Sequence, residues 1–455
     1  MTTEPRRQLP GVDQLARMVA ERNGDFDHDE AVDAARTTLA EARQALAAGT
    51  GTVDPDALVA EAISRAHEAR KPSLRRVINA SGVLLQTNLG RAPLSEAALE
   101  AIEDAGGGYS NLEFDLAGGT RGSRHTHVRE LISRATGAED GMAVNNNAAA
   151  LFFVLSAFTA GREVIVSRGQ AVEIGGGFRI PDVLAQSGAR IVEVGTTNRT
   201  YARDYEAAIS EETAALLRVH SSNFRIQGFA YETTVAEMAE VAHGARVLLI
   251  DDHGSGCLPD TRQWGLAWEP TVQASLQAGA DLALFSGDKL LGGPQCGIIA
   301  GRRELLDQLR RHPLARALRV DKTTIAALNA TLQAYVRGTA VQDIPLWRMV
   351  NEPERTVRRR ARRWARTAGE AGSVVRSQTM VGGGSLPGQG VPTWCVSLRI
   401  PAVDEAHAAL RSNDPPITGR VEDGALLLDP RCVDPRDDRR VAQAIWRVMS
   451  EVRTT

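Results

Sequence analysis

The chain has 455 residues, 43% of them hydrophobic and 24% charged, which is ample for more than one buried core and excludes disordered, collagen-like and small stapled classes. With 53 basic and 56 acidic residues its formal charge is -3, so a nucleic acid or a membrane has to be met by a local patch, not by the overall field. Four cysteines (Cys257, Cys296, Cys395, Cys432) stand far apart with no CxxC pair, which argues against a disulfide framework or a zinc site.

The opening MTTEPRRQLPGVDQ lacks an apolar leader pattern, and the most apolar run, residues 148–158, is too short to cross a bilayer. The expectation is a soluble, cytoplasmic protein. From residue 12 to about 70, apolar residues recur at three- and four-residue steps (Leu15, Met18, Val19, then 34–48), with a Gly-Thr-Gly-Thr break at 49–52. This predicts a helical N-terminal domain over 1–72, closed by Lys71-Pro72-Ser73. Its first seventy residues are acidic, with 8 arginines against 13 carboxylates.

Over 73–344 short β-branched runs alternate with helical patterns, predicting an α/β domain with a parallel sheet covered by helices on both faces. Candidate strands are 141–144, 163–167, 189–194, 215–220, 246–251 and 282–286. Several run directly into polar or glycine-rich loops, where an open α/β sheet holds its ligand. Residues 345–455 carry an arginine-rich helix, a Gly382-Gly383-Gly384 turn and the strand patterns WCVSLRI and ALLLDPR. They predict a smaller α+β domain.

Three elements carry chemistry. In Phe285-Ser286-Gly287-Asp288-Lys289-Leu290-Leu291-Gly292-Gly293 a predicted strand ends in a turn that presents a primary amine, which burial can turn into a nucleophile for an aldehyde cofactor and later a general base. Lysine otherwise occurs only at Lys71 and Lys322. Thirty-seven positions earlier, Leu248-Leu249-Ile250-Asp251-Asp252-His253-Gly254-Ser255-Gly256 ends a strand in carboxylates, as a ring nitrogen kept protonated requires. Strand alternation turns only one of Asp251 and Asp252 toward such a ring. Finally, Asn145, Asn146, Asn147 and Ala148 lead from a strand into a helix whose first N–H groups suit a phosphate, although an asparagine run also serves as a plain helix cap. The order of phosphate turn, aspartate and lysine is that of the large domain of fold-type I pyridoxal phosphate enzymes, the aspartate aminotransferase-like class.

Longer blocks make the likeness specific: INASGVLLQTNLGRAPLS, YSNLEFDLAGGTRGSRHTHV, NNNAAALFFVL, SRGQAVEIGGGFRIPDVL, VGTTNRT, SSNFRIQGF, FSGDKLLGGPQCG, HPLARALRVDK and VGGGSLP. From about Leu74 onward the chain closely resembles the bacterial selenocysteine synthases, the L-seryl-tRNA(Sec) selenium transferases. The resemblance implies that Lys289 forms the Schiff base with pyridoxal 5'-phosphate, that Asp252 meets the pyridine nitrogen, and that Asn145, Asn146, Asn147 and Ala148 hold the phosphate. It places Arg91, Arg316 and Arg319 on the substrate side, where forked guanidiniums suit selenophosphate. Asp288 is assigned to proton transfer or to seating the aminoacyl end. His253 departs from the family's usual hydrophobic residue in DxGSG. Cys257 and Cys296 border these segments, inviting a persulfide reading against that of small buried hydrophobes.

The implied reaction removes the serine hydroxyl of seryl-tRNA(Sec) by β-elimination, giving an aminoacrylyl-tRNA to which selenium from selenophosphate adds. Two sites for the RNA compete. The run 355–366, with Arg355, Arg358, Arg359, Arg360, Arg362, Arg363 and Arg366 and Trp364 interleaved, is the basic patch, whereas the resemblance assigns the tRNA D-arm to the acidic N-terminal domain, with Arg6, Arg7 or Arg17 as placed contacts. The resemblance also implies a homodecamer built as a pentamer of dimers. Rival readings are a pyridoxal phosphate lyase acting on a small free amino acid or a sugar-acid phosphate without tRNA, and a catalytically silent tRNA-binding scaffold.

Overall fold

The computed structural model describes residues 9–452 apart from 24, 51–52, 175–176 and 222–223, and divides into two compact units, Met1–Arg76 and Val77–Thr455. In the first, helices α1 (Val12–Arg22), α2 (His28–Ala47) and α3 (Pro55–Arg70) bury Leu15, Val19, Phe26, Ala35, Leu39, Val59 and Ala62 together. Helix α2 starts where it does because Asp27 and Glu30 cap each other: each carboxylate accepts the other's backbone N–H, at 2.9 and 3.0 Å, satisfying groups that a helix start leaves unbonded. Proline at the first position of α3 follows the capping Asp54. Arg70, at the end of α3, pairs with Glu30 at 2.5 Å and lies over the Phe26 ring. Arg17 is exposed on α1; Arg6, Arg7 and part of the 49–52 break lie outside the described residues.

The second unit contains two main sheets. In chain order its elements are β1 (Val83–Leu85), β2 (Asp140–Val144), α4 (Asn147–Phe158), β3 (Glu163–Ser167), β4 (Arg190–Val194), β5 (Thr213–Val219), β6 (Leu248–Gly254), β7 (Leu282–Ser286), β8 (Gly297–Gly301), α5 (Lys322–Arg337), α6 (Glu354–Thr367), β9 (Gly372–Gly382), β10 (Gly390–Leu398), β11 (Arg420–Glu422), β12 (Ala425–Leu428) and α7 (Asp438–Val452). The larger sheet runs β2-β8-β7-β6-β5-β3-β4. All neighbours are parallel except β8, which is antiparallel to both β2 and β7. Its strands other than the edge strand β4 are buried on both faces because both are covered. Met142, Val144, Leu282, Leu284 and Ile299 pack with Leu151, Phe153 and Val154 of α4, while Ala143, Ala283, Phe285, Ile298 and Ala300 pack with Ile325, Leu328 and Leu332 of α5.

The smaller sheet runs β11-β12-β10-β9-β1. Strand β1, from residues 83–85, pairs in parallel with β9 through Met380 and Gly382, so the smaller sheet draws a strand from far ahead of residue 345. Helix α6 corrects the reading of its tryptophan. Trp364 does not interleave with exposed arginines; with Ala361, Ala365 and Val396 it is buried in the core of this sheet. Arg360 is buried as well, paired with Asp438 at 2.8 Å and Glu352 at 3.2 Å. Among the described residues no helix is long and apolar enough to cross a membrane, and no cluster of three or more His, Cys, Asp or Glu could hold a metal.

Candidate active site

Strands β2, β6 and β7 are mutually aligned across β8, so their carboxyl ends, Val144, Gly254 and Ser286, open on one edge of the sheet. Lys289 stands on the turn after β7. That turn is pinned by backbone hydrogen bonds from Gly287 to Cys296, from Gly293 to Gly287 and from Leu290 to Ser255, all 2.8 to 2.9 Å. The side chain is buried, with 8% of the residue exposed. Burial lowers the pKa of its amine; Asp252 pulls it up, Arg91 pushes it down, and Asp288 pulls it up again.

The adjacent aspartates of β6 divide by strand alternation. Asp251 meets Arg218 at 3.0 Å and accepts from the Ser275 hydroxyl at 2.5 Å; burial works to raise its pKa, but Arg218, His253 and Ser275 hold it below the usual value. Asp252 turns the other way. Its Oδ1 accepts from Asn147 Nδ2 at 2.8 Å, and burial pushes its pKa to about 6 against the pull of Asn147 and Lys289. Lys289 and Asp252 are therefore electrostatic neighbours.

The asparagine run is divided in use. The Asn145 N–H is taken by the Leu318 carbonyl at 3.0 Å, and the Asn146 side chain caps α4 by accepting from the Ala149 N–H at 2.9 Å. Asn147 orients Asp252. The first two amides of α4, those of Asn147 and Ala148, have no backbone partner among the described residues and point out of the helix start, where an anion is favoured. Gly297 on β8 passes so close beneath this turn that a Cβ would collide with the backbone of Asn146 and Asn147.

The three arginines differ in what holds them. Arg91, held at φ 63, donates from Nη1 to Asp288 Oδ2 at 2.7 Å. Arg319 has its backbone bridged to Val144 and its guanidinium 3.9 Å from Glu113. Arg316 is exposed on a short helix. No hydrogen bond or ion pair among the described residues joins Arg316 or Arg319 to Lys289, Asp288 or Arg91. Cys257 and Cys296 are fully enclosed, and burial drives both thiol pKa values upward, so they remain protonated hydrophobes.

Three further participants are not assigned a role by the sequence, although one of them, Gly384, lies in the glycine triplet it marks. His220 follows β5 at the end of a predicted strand, its N–H bonded to the Asp252 carbonyl at 2.9 Å and its Nε2 3.2 Å from the buried Glu269. Burial works to raise the Glu269 pKa, and His220 draws it below the usual value. Gly384, from the glycine triplet, sits against the amine: a Cβ there would come 2.8 Å from both Nζ and Cε of Lys289. His220 Nδ1 and Asn147 Oδ1 are buried without a partner, polar atoms that a bound group can satisfy.

An L-seryl-tRNA selenium transferase family model matches residues 77–434, which takes in every one of these side chains. The chain belongs to the L-seryl-tRNA selenium transferase family. Among named family members, the L-seryl-tRNA(Sec) selenium transferase of Moorella thermoacetica is 48% identical over 97% of each chain. That of Nitratidesulfovibrio vulgaris is 46% identical over 97% of this chain and 98% of its own. A solved D-glucosaminate-6-phosphate ammonia-lyase superposes with a TM-score of 0.57 over 84% of this chain and 97% of that one, at 22% identity, a likeness of fold alone. The fold of this selenium transferase family member is that of the fold-type I enzymes, with the lysine turn, the aspartate strand and the helix start at one sheet edge.

Proposed function

We propose that this protein converts L-seryl-tRNA(Sec) to L-selenocysteinyl-tRNA(Sec), with pyridoxal 5'-phosphate as resident cofactor and selenophosphate as selenium donor. The observation that carries the proposal is the buried Lys289 amine within electrostatic reach of Asp252, whose partner Asn147 opens α4, in a chain 48% identical to a named selenium transferase along nearly its whole length.

The residues present fit the cofactor. An amine, an opposed carboxylate, two unbonded helix amides and two buried polar atoms without partners match its aldehyde, ring nitrogen, phosphate and ring substituents. Bound there, pyridoxal phosphate supplies an electron sink for the charge left when the serine α-carbon loses its proton. Lys289, which burial biases toward the neutral amine, takes and returns that proton. Asp252, oriented by Asn147, holds the proton of the ring nitrogen in place. The Asn147 and Ala148 amides take the phosphate, with Asn145 and Asn146 shaping the turn.

Asp288, gripped by Arg91, serves proton transfer at the reacting end of the serine or seats the aminoacyl group. Arg91, Arg316 and Arg319 receive selenophosphate through forked hydrogen bonds, and a closed pocket keeps water from diverting the reaction. The N-terminal unit is assigned to the tRNA D-arm, and the working assembly to a cytoplasmic homodecamer.

The test is a mass spectrum of the products from seryl-tRNA(Sec) and selenophosphate. Selenocysteinyl-tRNA(Sec) is expected from the native protein, and none from Lys289→Ala, which folds but lacks the visible absorbance that borohydride abolishes in the native enzyme. Turnover by Lys289→Ala overturns the assignment. Arg316→Ala with Arg319→Ala is expected to weaken use of selenophosphate more than cofactor retention; equal loss of both makes these arginines structural.

A further inference from the structure

We infer that the exposed arginine stripe of α6 is a docking surface for the sugar-phosphate backbone of the RNA substrate. The inference rests on the RNA-directed reading above and adds the surface that reading lacks. Burial sorts the arginines of α6. Arg360 faces inward with Val357, Ala361 and Trp364, while Arg355, Arg358, Arg359, Arg362, Arg363 and Arg366 are exposed.

Four of these, Arg355, Arg359, Arg362 and Arg366, follow one another at steps of four, three and four, so at 100° per residue they fall on a single line along the helix. None of the four has a carboxylate within ion-pair distance among the described residues. The two flanking arginines do have partners: Arg363 reaches Asp438 at 3.6 Å and Arg358 stacks over Trp394 at 4.3 Å. The stripe and both flanks line one open groove together with Glu354 and Trp394.

Like charges three and four apart on a helix repel and destabilise it, so this line of unbalanced guanidiniums has no stabilising role in the free protein. It spans about 16 Å at the helical rise. That is far too long for one small anion, and it matches a nucleic-acid strand, which presents a charge every few ångströms. Phosphate contacts of this kind position an RNA without reading its sequence. An acidic protein surface is the competing occupant. The RNA is favoured because the proposed substrate is a polyanion, the chain's formal charge is -3, and the first seventy residues carry more carboxylates than arginines.

The experiment measures binding of seryl-tRNA(Sec) to the full-length protein as salt is varied. The native chain is compared with a variant carrying Arg355→Gln, Arg359→Gln, Arg362→Gln and Arg366→Gln, and with one carrying lysine at the same four positions. The glutamine variant is expected to lose about ten- to a hundredfold in affinity near physiological salt, and its log–log salt slope to flatten by roughly three. The lysine variant is expected to stay within about threefold of the native affinity, since it keeps the charge. Cofactor absorbance should be unchanged in all three.

Native-like affinity and slope in the glutamine variant overturn the inference while leaving the function intact. Equal loss in both variants makes the stripe structural, and a change in particle mass with RNA affinity unchanged makes it a protein interface; either result overturns it. Failure of the native chain to bind the RNA removes the functional reading itself, and this inference with it.

Discussion

Arg91 and Asp288 hold each other through both side chain and backbone. Arg91 Nη1 donates to the Asp288 carboxylate at 2.7 Å, and the next residue, Ala92, donates its N–H to the Asp288 carbonyl at 3.2 Å. The arginine occupies a left-handed backbone conformation, φ 63, that costs a non-glycine residue about 1 kcal/mol, and these contacts fix it there. Arg91→Met is expected to destabilise the fold by about 1–3 kcal/mol, below the value for a fully buried pair because Arg91 is one-third exposed. Adding Asp288→Asn should recover part of that loss. Urea unfolding of the four proteins of this double-mutant cycle measures the coupling; strictly additive losses mean that the two residues act independently.

Gly384 makes room for the reactive amine. Its φ of 84 and the 2.8 Å approach of Lys289 Nζ to a built Cβ predict that Gly384→Ala displaces the amine and cuts cofactor loading by at least about tenfold, about 1.4 kcal/mol. Gly388, at φ 72 with open space around its Cβ position, is the control, since alanine there carries the backbone strain without the collision. Absorbance titration with pyridoxal phosphate reads the difference. Equal effects of the two substitutions would assign everything to strain.

The sequence makes the chemistry legible further than the packing. Strands β3 and β7 match the expected 163–167 and 282–286 because an apolar run bounded by glycine and serine has one reading. Strand β8, Gly-Ile-Ile-Ala-Gly, escapes such a reading since its glycines look like continuation of the preceding turn. Gly297 is needed instead where β8 runs beneath the asparagine turn, and Gly301 where the strand passes the Asp281 carbonyl. Lys289 and Asp252 are reached through motifs that lie within a few residues of each group. His220 and Glu269, 49 positions apart, meet only through the fold, and β1 joins its sheet by a pairing almost three hundred residues long in sequence. Trp364 misleads because its neighbours along the chain are arginines; its neighbours along the helix, Val357, Ala361 and Ala368, mark the buried face.

The two aspartates of β6 are expected to fail in different ways. Asp251 is completely buried against Arg218 and Ser275, so Arg218→Met strands a buried charge and should cost about 3–5 kcal/mol. Asp251→Asn in the same chain should restore much of it. Neither change touches the face toward Lys289, so the folded fraction should keep native cofactor absorbance. Thermal melts followed at the cofactor band separate loss of fold from loss of loading. A spectrum altered at full folding would place Asp251 among the cofactor contacts.

The pH dependence of the cofactor-free protein isolates Asp252. Burial raises its pKa from 3.8 to about 6 in the folded state, so between those values the folded protein binds the proton more tightly than the unfolded chain, and stability falls as pH rises through this window. His253 and His125, which burial holds at about 4, act in the opposite sense: unfolded histidine binds protons first as pH falls, and stability drops toward acid. Both histidines remain in Asp252→Asn, so their contribution cancels in the difference between variant and native protein. That difference should be near zero below pH 4 and grow in favour of the variant up to about pH 6. It should then level off, at no more than about 3 kcal/mol. The side-chain amide that Asp252→Asn introduces still offers an oxygen to Asn147 Nδ2, so the local hydrogen bond survives the change. Urea unfolding across this pH range, without cofactor, supplies the curve. A difference that stays flat from pH 4 to 7 would mean that the folded protein ionises Asp252 as readily as the unfolded chain does, and that the carboxylate facing Lys289 is charged before any cofactor arrives.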